Sequence, residues 1–169
     1  MSALVISVFL TTVLALTAAY DATNALGSYE FKDPHGLLIP VHEFKEKYRY
    51  SVTSKKLGKG GGGSVVLGKF ADNPHKKVAI KITRKVNQNE VQSSLVLRHE
   101  RIVPVYNIAI DGKTVLIAME AATTYGSLDK ILKKKSSLDA QSLKTDLRAI
   151  TVGLEYIHSQ NWTHRDLKP

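Results

Sequence analysis

Glycine recurs at Gly58, Gly60 and Gly63 inside the stretch KKLGKGGGGSVVLG. Backbone N–H groups that carry no side chain can lie close against a densely charged anion such as a phosphate. The same glycines also match a flexible linker. Because this spacing is weak evidence by itself, the elements on either side of the glycines must decide between a phosphate site and a linker.

Short β-branched segments lie on both sides of the glycines and recur further along the chain. From Val78 to Ile82, apolar and polar residues alternate, which indicates a half-buried strand. Asp111-Gly112-Lys113 separates two apolar runs and predicts a hairpin. The sequence therefore predicts five strands, at residues 48–57, 64–70, 78–82, 105–110 and 114–119.

One helical segment, at residues 87–97, interrupts the strands, and the carboxyl third is helical. Asp139 is a suitable N-cap for the long carboxyl-terminal helix. Its apolar residues step by four and three and form one stripe: Leu143, Leu147, Ile150, Leu154 and Ile157. The pattern predicts an α+β fold, in which an antiparallel sheet with one helix is followed by further helices.

Three kinds of nucleotide site contain glycines with this spacing. The Rossmann site needs a helix directly after the glycines, and the Walker site needs Lys-Ser or Lys-Thr after the last one. Here a strand follows, and Gly63 precedes Ser64-Val65. The third kind is a glycine-rich hairpin that covers the phosphates of ATP, and it needs a strand on each side. The sequence supplies both strands.

Further motifs follow the glycines in a fixed order, and together they resemble the eukaryotic protein kinase domain of the serine/threonine type. The stretches that carry the resemblance are GKGGGGSV, VAIK at Val78–Lys81, EVQSSLVLRHERIVPVY, VLIAMEAATTYGSL and GLEYIHSQNWTHRDLKP. The resemblance covers residues 48–169. It implies a kinase-like small lobe with a five-stranded antiparallel sheet and helix αC. The first helices of the large lobe follow, and the chain is truncated after HRDLKP.

The resemblance implies an ATP site. The glycines would approach the phosphates, Val65 and Ala79 would pack on the adenine, and Lys81 would pair with the α- and β-phosphates. Met119 stands at the gatekeeper position, and backbone groups after it would hydrogen-bond the adenine edge. The implied ATP-binding residues are Gly58, Gly60, Gly63, Val65, Ala79, Lys81, Met119, Glu120 and Ala122.

The resemblance also implies the catalytic residues. Asp166 matches the base that accepts the proton of a substrate hydroxyl, and Lys168 would steady the transferring phosphoryl group. His164 and Arg165 would support their loop. Glu90 has two candidate roles. It is either the αC glutamate that pairs with Lys81 or one half of a capping pair with Asn87 at the start of the helix.

Two departures from the family pattern bear on activity. Gly62 stands where the family has an aromatic residue, so we expect a loose cover over the phosphates. ATP is the implied cofactor and Mg²⁺ is expected with it. The family's metal ligands are an Asn five residues after the catalytic Asp and the Asp of a later Asp-Phe-Gly, and both positions come after Pro169. We therefore predict no metal ligands in these 169 residues and no phosphoryl transfer by this chain alone.

Two other functional classes stay open. One is a non-catalytic remnant that binds nucleotide or a partner, and the other is a secreted binding module with only an ancestral resemblance to kinases. Net charge +9 suits phosphate or acidic partners, but we expect a solvated basic surface and no nucleic-acid partner. The absence of cysteine excludes disulfides and thiolate metal sites. The protein substrate is not predicted.

The amino-terminal residues form a separate segment. Residues 3–19 carry no charge and resemble a signal peptide or a membrane anchor, although no basic residue precedes them. A buried helix or a pair of strands inside the domain is the alternative. We expect entry into the secretory pathway or membrane contact through this segment, with a cytoplasmic location as the alternative. The predicted divisions are residues 1–19, a linker at 20–47, and a partial kinase domain at 48–169, comprising the small lobe (48–119), hinge (120–126) and start of the large lobe (127–169).

Overall fold

The computed structural model of this chain describes residues 29–44, 50–60, 63–122 and 139–167. Five strands and two helices occupy these ranges. The strands are β1 (Tyr50–Gly60), β2 (Gly63–Phe70), β3 (Lys77–Thr83), β4 (Val105–Asp111) and β5 (Thr114–Glu120). The helices are α1 (Gln88–Val96), between β3 and β4, and α2 (Ala140–Ser159), after β5.

The strands form one antiparallel sheet in the order β1-β2-β3-β5-β4. This sheet with its helices confirms the predicted α+β fold. Side chains alternate between two faces along each strand. On the outer face, Val78 and Ile80 of β3 join a core that includes Tyr50 and Phe44. On the inner face, α1 covers a second core, whose buried members are Val91, Leu95, Ile108, Val115 and Ile117.

The glycines belong to the hairpin that joins β1 and β2. Strand β1 runs three residues further than the predicted end at Leu57, and Gly60 is paired with Gly63. Gly63 has a φ of +119°, and a Cβ atom there would lie 2.3 Å from the carbonyl oxygen of Ile82. Only glycine fits this backbone conformation and this approach. The hairpin therefore needs a glycine at position 63 for structural reasons as well as any functional one.

Both helices begin at the predicted caps. The Asn87 side chain accepts hydrogen bonds from the N–H groups of Asn89 and Glu90, and that of Asp139 accepts one from Ser142. The predicted apolar stripe on α2 is buried only toward its carboxyl end. Ile157 is 2% exposed, whereas Leu147 is 55% exposed.

Residues 29–44, which we call the strap, pack on the sheet and on α1. Phe31 and Leu37 contact the inner core, Ile39 and Val41 contact the outer core, and Phe44 is a buried member of the outer core. The sequence predicts a linker at 20–47, because no sustained periodicity is present there. Instead, the described part of this segment is fixed by apolar contacts on both faces of the sheet.

Several predictions fall outside the described residues. They concern the amino-terminal segment 3–19, the glycine at position 62, the second half of the predicted hinge (123–126) and Lys168. Within the described ranges, no helix is both long and apolar enough to cross a membrane.

Candidate functional site

The inner face of the sheet brings most of the predicted ATP-binding residues together. Gly58 lies opposite Val65, and Val65 lies opposite Lys81. Ala79, two residues before Lys81 on β3, lies opposite Met119. Directly opposed residues of antiparallel strands point to the same face, as do residues two apart on one strand. These five positions therefore form two adjacent rows on the face that α1 covers.

Lys81 forms an ion pair with Glu90 of α1. The Lys81 Nζ atom donates to Glu90 Oε1, and the side chains are 10% and 9% exposed. Glu90 takes part in both predicted arrangements, the ion pair with Lys81 and the helix cap with Asn87. Its main-chain N–H donates to Asn87 Oδ1 at 3.3 Å. The carboxylate itself faces β3. This pair fixes a cationic group on the inner face, in a region from which water is largely excluded.

A short connection brings Glu90 within reach of Lys81. After β3 ends at Thr83, the Thr83 hydroxyl accepts a hydrogen bond from the Lys85 N–H and donates one to the Lys85 carbonyl. Asn87 then starts α1, so Glu90 lies in its first turn. Val91 and Leu95 anchor the helix to the inner core. Burial of this apolar side of α1 determines which way its polar residues face.

The predicted hinge follows β5. Met119 and Glu120 are half-buried, and Ala122 is exposed. The Glu120 N–H donates to the carbonyl oxygen of Pro104 at 2.9 Å. An adenine contact from Glu120 would therefore have to be made through its carbonyl oxygen.

The segment after α2 carries His164, Arg165 and Asp166. The Asp166 N–H donates to His164 Nδ1 at 3.3 Å, which places the imidazole proton on Nε2. His164 Nε2 is buried and has no hydrogen-bond partner within the described part of the chain. Burial lowers the pKa of His164 below its ordinary 6.5, and the charge of Asp166 opposes this shift. The lowered pKa favours the neutral imidazole, while Arg165 is exposed and has a φ of +61°.

Helix α2 is joined to the segment that follows α1. The Tyr156 hydroxyl accepts a hydrogen bond from the Arg98 N–H at 3.0 Å, and the Tyr156 ring stacks on His99 with centroids 4.8 Å apart. These contacts tie the helix that precedes Asp166 to the end of the helix that carries Glu90.

No group of three or more His, Asp and Glu side chains that could hold a metal ion is present in the described ranges.

Comparison with known proteins identifies the family. The protein kinase domain family matches residues 51–169. This chain belongs to the protein kinase family. The match confirms the resemblance deduced from the glycine, VAIK and HRDLKP motifs, and it begins one residue after the start of β1.

Individual relatives of this kinase domain are serine/threonine kinases. The chain is 32% identical over 124 residues to a probable serine/threonine-protein kinase, MARK-A, of Dictyostelium discoideum. The aligned region covers 68% of this chain and 12% of that protein. The chain is 30% identical over 125 residues to Aurora kinase C of Mus musculus, covering 68% of this chain and 45% of that protein. The chain therefore spans less than half the length of either relative.

A solved structure shares the fold. The crystal structure of Rad53 residues 1–466 in complex with AMP-PNP superposes with a TM-score of 0.63 at 26% identity. The match covers 72% of this chain and 33% of that one.

Sequence reasoning did not identify the contacts that surround α1 on the side away from Lys81. Gln92 is 8% exposed and bonds to the main chain of Lys32, 60 residues away. The apolar run Gly-Leu-Leu-Ile-Pro-Val at 36–41 is the available signal that the strap packs on the sheet. No local sequence pattern predicts the contact of Gln92, because its partner is a main-chain group distant in the sequence.

Proposed function

We propose that this kinase domain binds ATP on the inner face of its sheet and that the protein which contains it transfers the γ-phosphoryl group to serine or threonine hydroxyls of protein substrates. The buried Lys81–Glu90 ion pair carries the proposal. A lysine held by a carboxylate between a strand and a helix is a point charge of fixed position, as a bound triphosphate requires.

The rows on the inner face support the same assignment. Val65 and Ala79 offer small apolar surfaces to a flat adenine ring, and Gly58 has no atom within 4 Å of the position a Cβ would take. The glycine hairpin thus leaves room for phosphate oxygens to approach backbone N–H groups. The neighbouring Lys81 would neutralise charge on the α- and β-phosphates.

Asp166 is the proposed base in the transfer step. Its carboxylate would accept the proton of the substrate hydroxyl as the oxygen attacks the γ-phosphorus, and the bond to the β-phosphate oxygen breaks. His164 Nδ1 accepts a hydrogen bond from the Asp166 N–H and so constrains the backbone at Asp166. Lys168 is the proposed partner of the transferring phosphoryl group.

Magnesium has no assigned ligands here. Within the described ranges no group of three or more candidate ligands occurs, and no step of the proposed reaction is assigned to a metal held by these residues. We expect adenine and phosphate contacts from this chain to bind a nucleotide weakly and with little gain from added Mg²⁺.

Titration of a fluorescent ATP analogue into the 169-residue chain tests nucleotide binding. We expect saturable binding that Lys81→Met abolishes. Lys77→Met is the matched control, because Lys77 lies on the same strand and is exposed. Equal binding by wild type and Lys81→Met would overturn the proposed site, and a strong dependence on Mg²⁺ would overturn the weak role assigned to the metal.

Transfer is tested in the protein that contains this chain, with radiolabelled ATP and a generic protein substrate. Asp166→Asn should lower the transfer rate about 10²- to 10⁴-fold and leave nucleotide affinity unchanged, because a general base acts on the chemical step. Lys81-dependent binding without any transfer by the wild type would instead support the non-catalytic, nucleotide-binding alternative.

A further inference from the structure

The strap extends the sheet beyond its edge strand. Strand β4 is the last in the order β1-β2-β3-β5-β4, and Leu38 forms an isolated parallel bridge with Ile108 on its outer side. The Ile39 N–H donates to the Ile108 carbonyl at 2.9 Å, and the Ile108 N–H donates to the Leu37 carbonyl at 2.8 Å. The strap is therefore fixed to β4 by main-chain hydrogen bonds that do not depend on side-chain identity.

The strap also holds α1 through one side chain. Lys32 N–H donates to Gln92 Oε1 at 3.0 Å, and Gln92 Nε2 donates to the Lys32 carbonyl at 2.8 Å. Gln92 is 8% exposed, so its amide depends on protein partners for hydrogen bonding. A single residue of the strap supplies both a donor and an acceptor to it.

Further contacts stabilise α1 near Gln92. Phe31 and Leu37 pack against the inner core that contains Val91 and Leu95 of α1. At the carboxyl end of α1, Arg98 Nη1 donates a hydrogen bond to the Ser94 carbonyl oxygen at 3.0 Å.

Helix α1 is thus held from two sides. Gln92 follows Glu90 by two residues, and a rotation of about 200° separates their directions around the helix. Glu90 faces β3 and Lys81, whereas Gln92 faces the strap. A helix of nine residues is marginal by itself, and so its position depends on such contacts.

We propose that Gln92 is a positioning residue. Through its two hydrogen bonds to the strap, it keeps α1 where Glu90 pairs with Lys81, and loss of the strap contact moves α1 and weakens nucleotide binding at Lys81. This inference rests on the proposed ATP site for its functional consequence. Its structural part, the dependence of α1 on the strap, stands without that site.

The test compares Gln92→Ala and Gln92→Met with wild type in the 169-residue chain. Methionine preserves length and helix propensity but makes neither hydrogen bond, so it keeps the test decisive if the alanine variant unfolds. Two controls are matched to them. Lys32→Ala retains the main-chain groups that bond to Gln92, and Asn89→Ala changes an exposed residue of the same helix.

Two readouts separate the structural from the functional part. Hydrogen exchange of the α1 amides should be faster in both Gln92 variants and unchanged in both controls. Affinity for a fluorescent ATP analogue should fall about 5-fold or more in the Gln92 variants. In a Glu90→Gln background, Gln92→Met should change the affinity by less than about 2-fold, because Gln92 acts through Glu90.

Each outcome decides between the alternatives. Wild-type exchange of α1 in Gln92→Met would overturn the proposal, and so would an affinity loss that is equally large with and without Glu90. If wild type binds no nucleotide, the proposed ATP site fails, and faster α1 exchange in Gln92→Met still supports the positioning by the strap.

Discussion

Lys81 and Glu90 lose nearly all contact with water, and each depends on the other for charge compensation. Removing one partner of such a pair leaves an unpaired charge in the interior, which costs about 3 to 5 kcal/mol, whereas removing both charges can cost little. At the scale of the residue, the site is therefore a coupled unit whose members cannot be changed independently.

The coupling predicts the result of a double-mutant cycle. Lys81→Met and Glu90→Leu should each lower the free energy of unfolding by about 3 to 5 kcal/mol. The double variant should lose less than the sum of the two single losses, because no charge is left buried. Urea unfolding of wild type, the two single variants and the double variant measures these free energies. Strictly additive losses would show that the pair is not coupled.

Two glycines of the hairpin differ in why they are needed. At Gly63, alanine would adopt a φ of +119° and place its Cβ against the Ile82 carbonyl, so Gly63→Ala should destabilise the protein by about 1 to 3 kcal/mol. At Gly58 nothing lies near the added carbon, and Gly58→Ala should leave the thermal midpoint close to that of wild type while weakening nucleotide binding. Thermal unfolding of both variants checks this contrast, and equal midpoints would contradict it.

His164 predicts a dependence of stability on pH. Burial lowers the pKa of His164 in the folded protein, whereas in the unfolded chain this pKa keeps its ordinary value of 6.5. The unfolded chain therefore binds the proton more tightly than the folded protein does. Stability should therefore be constant above pH 6.5 with respect to this group and fall as the pH drops below 6.5. Urea midpoints measured across this range should fall less steeply in His164→Phe than in wild type. Parallel curves would contradict the assignment.

At the scale of the element, α2 is a helix with one buried end. Ile157 is 2% exposed and Leu147 is 55% exposed, although both belong to the same apolar stripe. Ile157→Ala should cost about 2 to 5 kcal/mol, whereas Leu147→Ala should change the free energy of unfolding by less than about 0.5 kcal/mol. Denaturant unfolding of the two variants tests the difference, and similar losses would indicate that the amino-terminal half of α2 is covered in solution.

The elements differ in how far the sequence determines them. Alternation around Lys81 and the Asn87 and Asp139 caps predicted β3, α1 and α2 to within one or two residues, because these signals are local. The end of β1 could not be predicted, since glycines show no apolar pattern and their pairing depends on the partner strand. The packing of the strap could not be predicted either, because Lys32 and Gln92, which form a hydrogen bond, are 60 residues apart in the sequence.

At the scale of the whole molecule, the described residues build two apolar cores on either side of one sheet. The strap contributes to both cores, and it pairs with the outer edge of β4 at Ile108, where the backbone groups of an edge strand would otherwise be unpaired. The proposed ATP site lies on the inner side, between the glycine hairpin and α1. The proposal therefore links nucleotide binding, the position of α1 and the strap within one lobe.

An ATP analogue whose terminal phosphate carries an electrophilic acyl group tests the central claim most directly, because it transfers the acyl group to a lysine that contacts the phosphates. Mass spectrometry of the labelled 169-residue chain then locates the modified lysines. We expect Lys81 to be acylated and excess ATP to prevent it, with exposed Lys55 and Lys76 serving as internal controls that ATP does not protect. Labelling of the exposed lysines without ATP-protected labelling of Lys81 would contradict the proposed site.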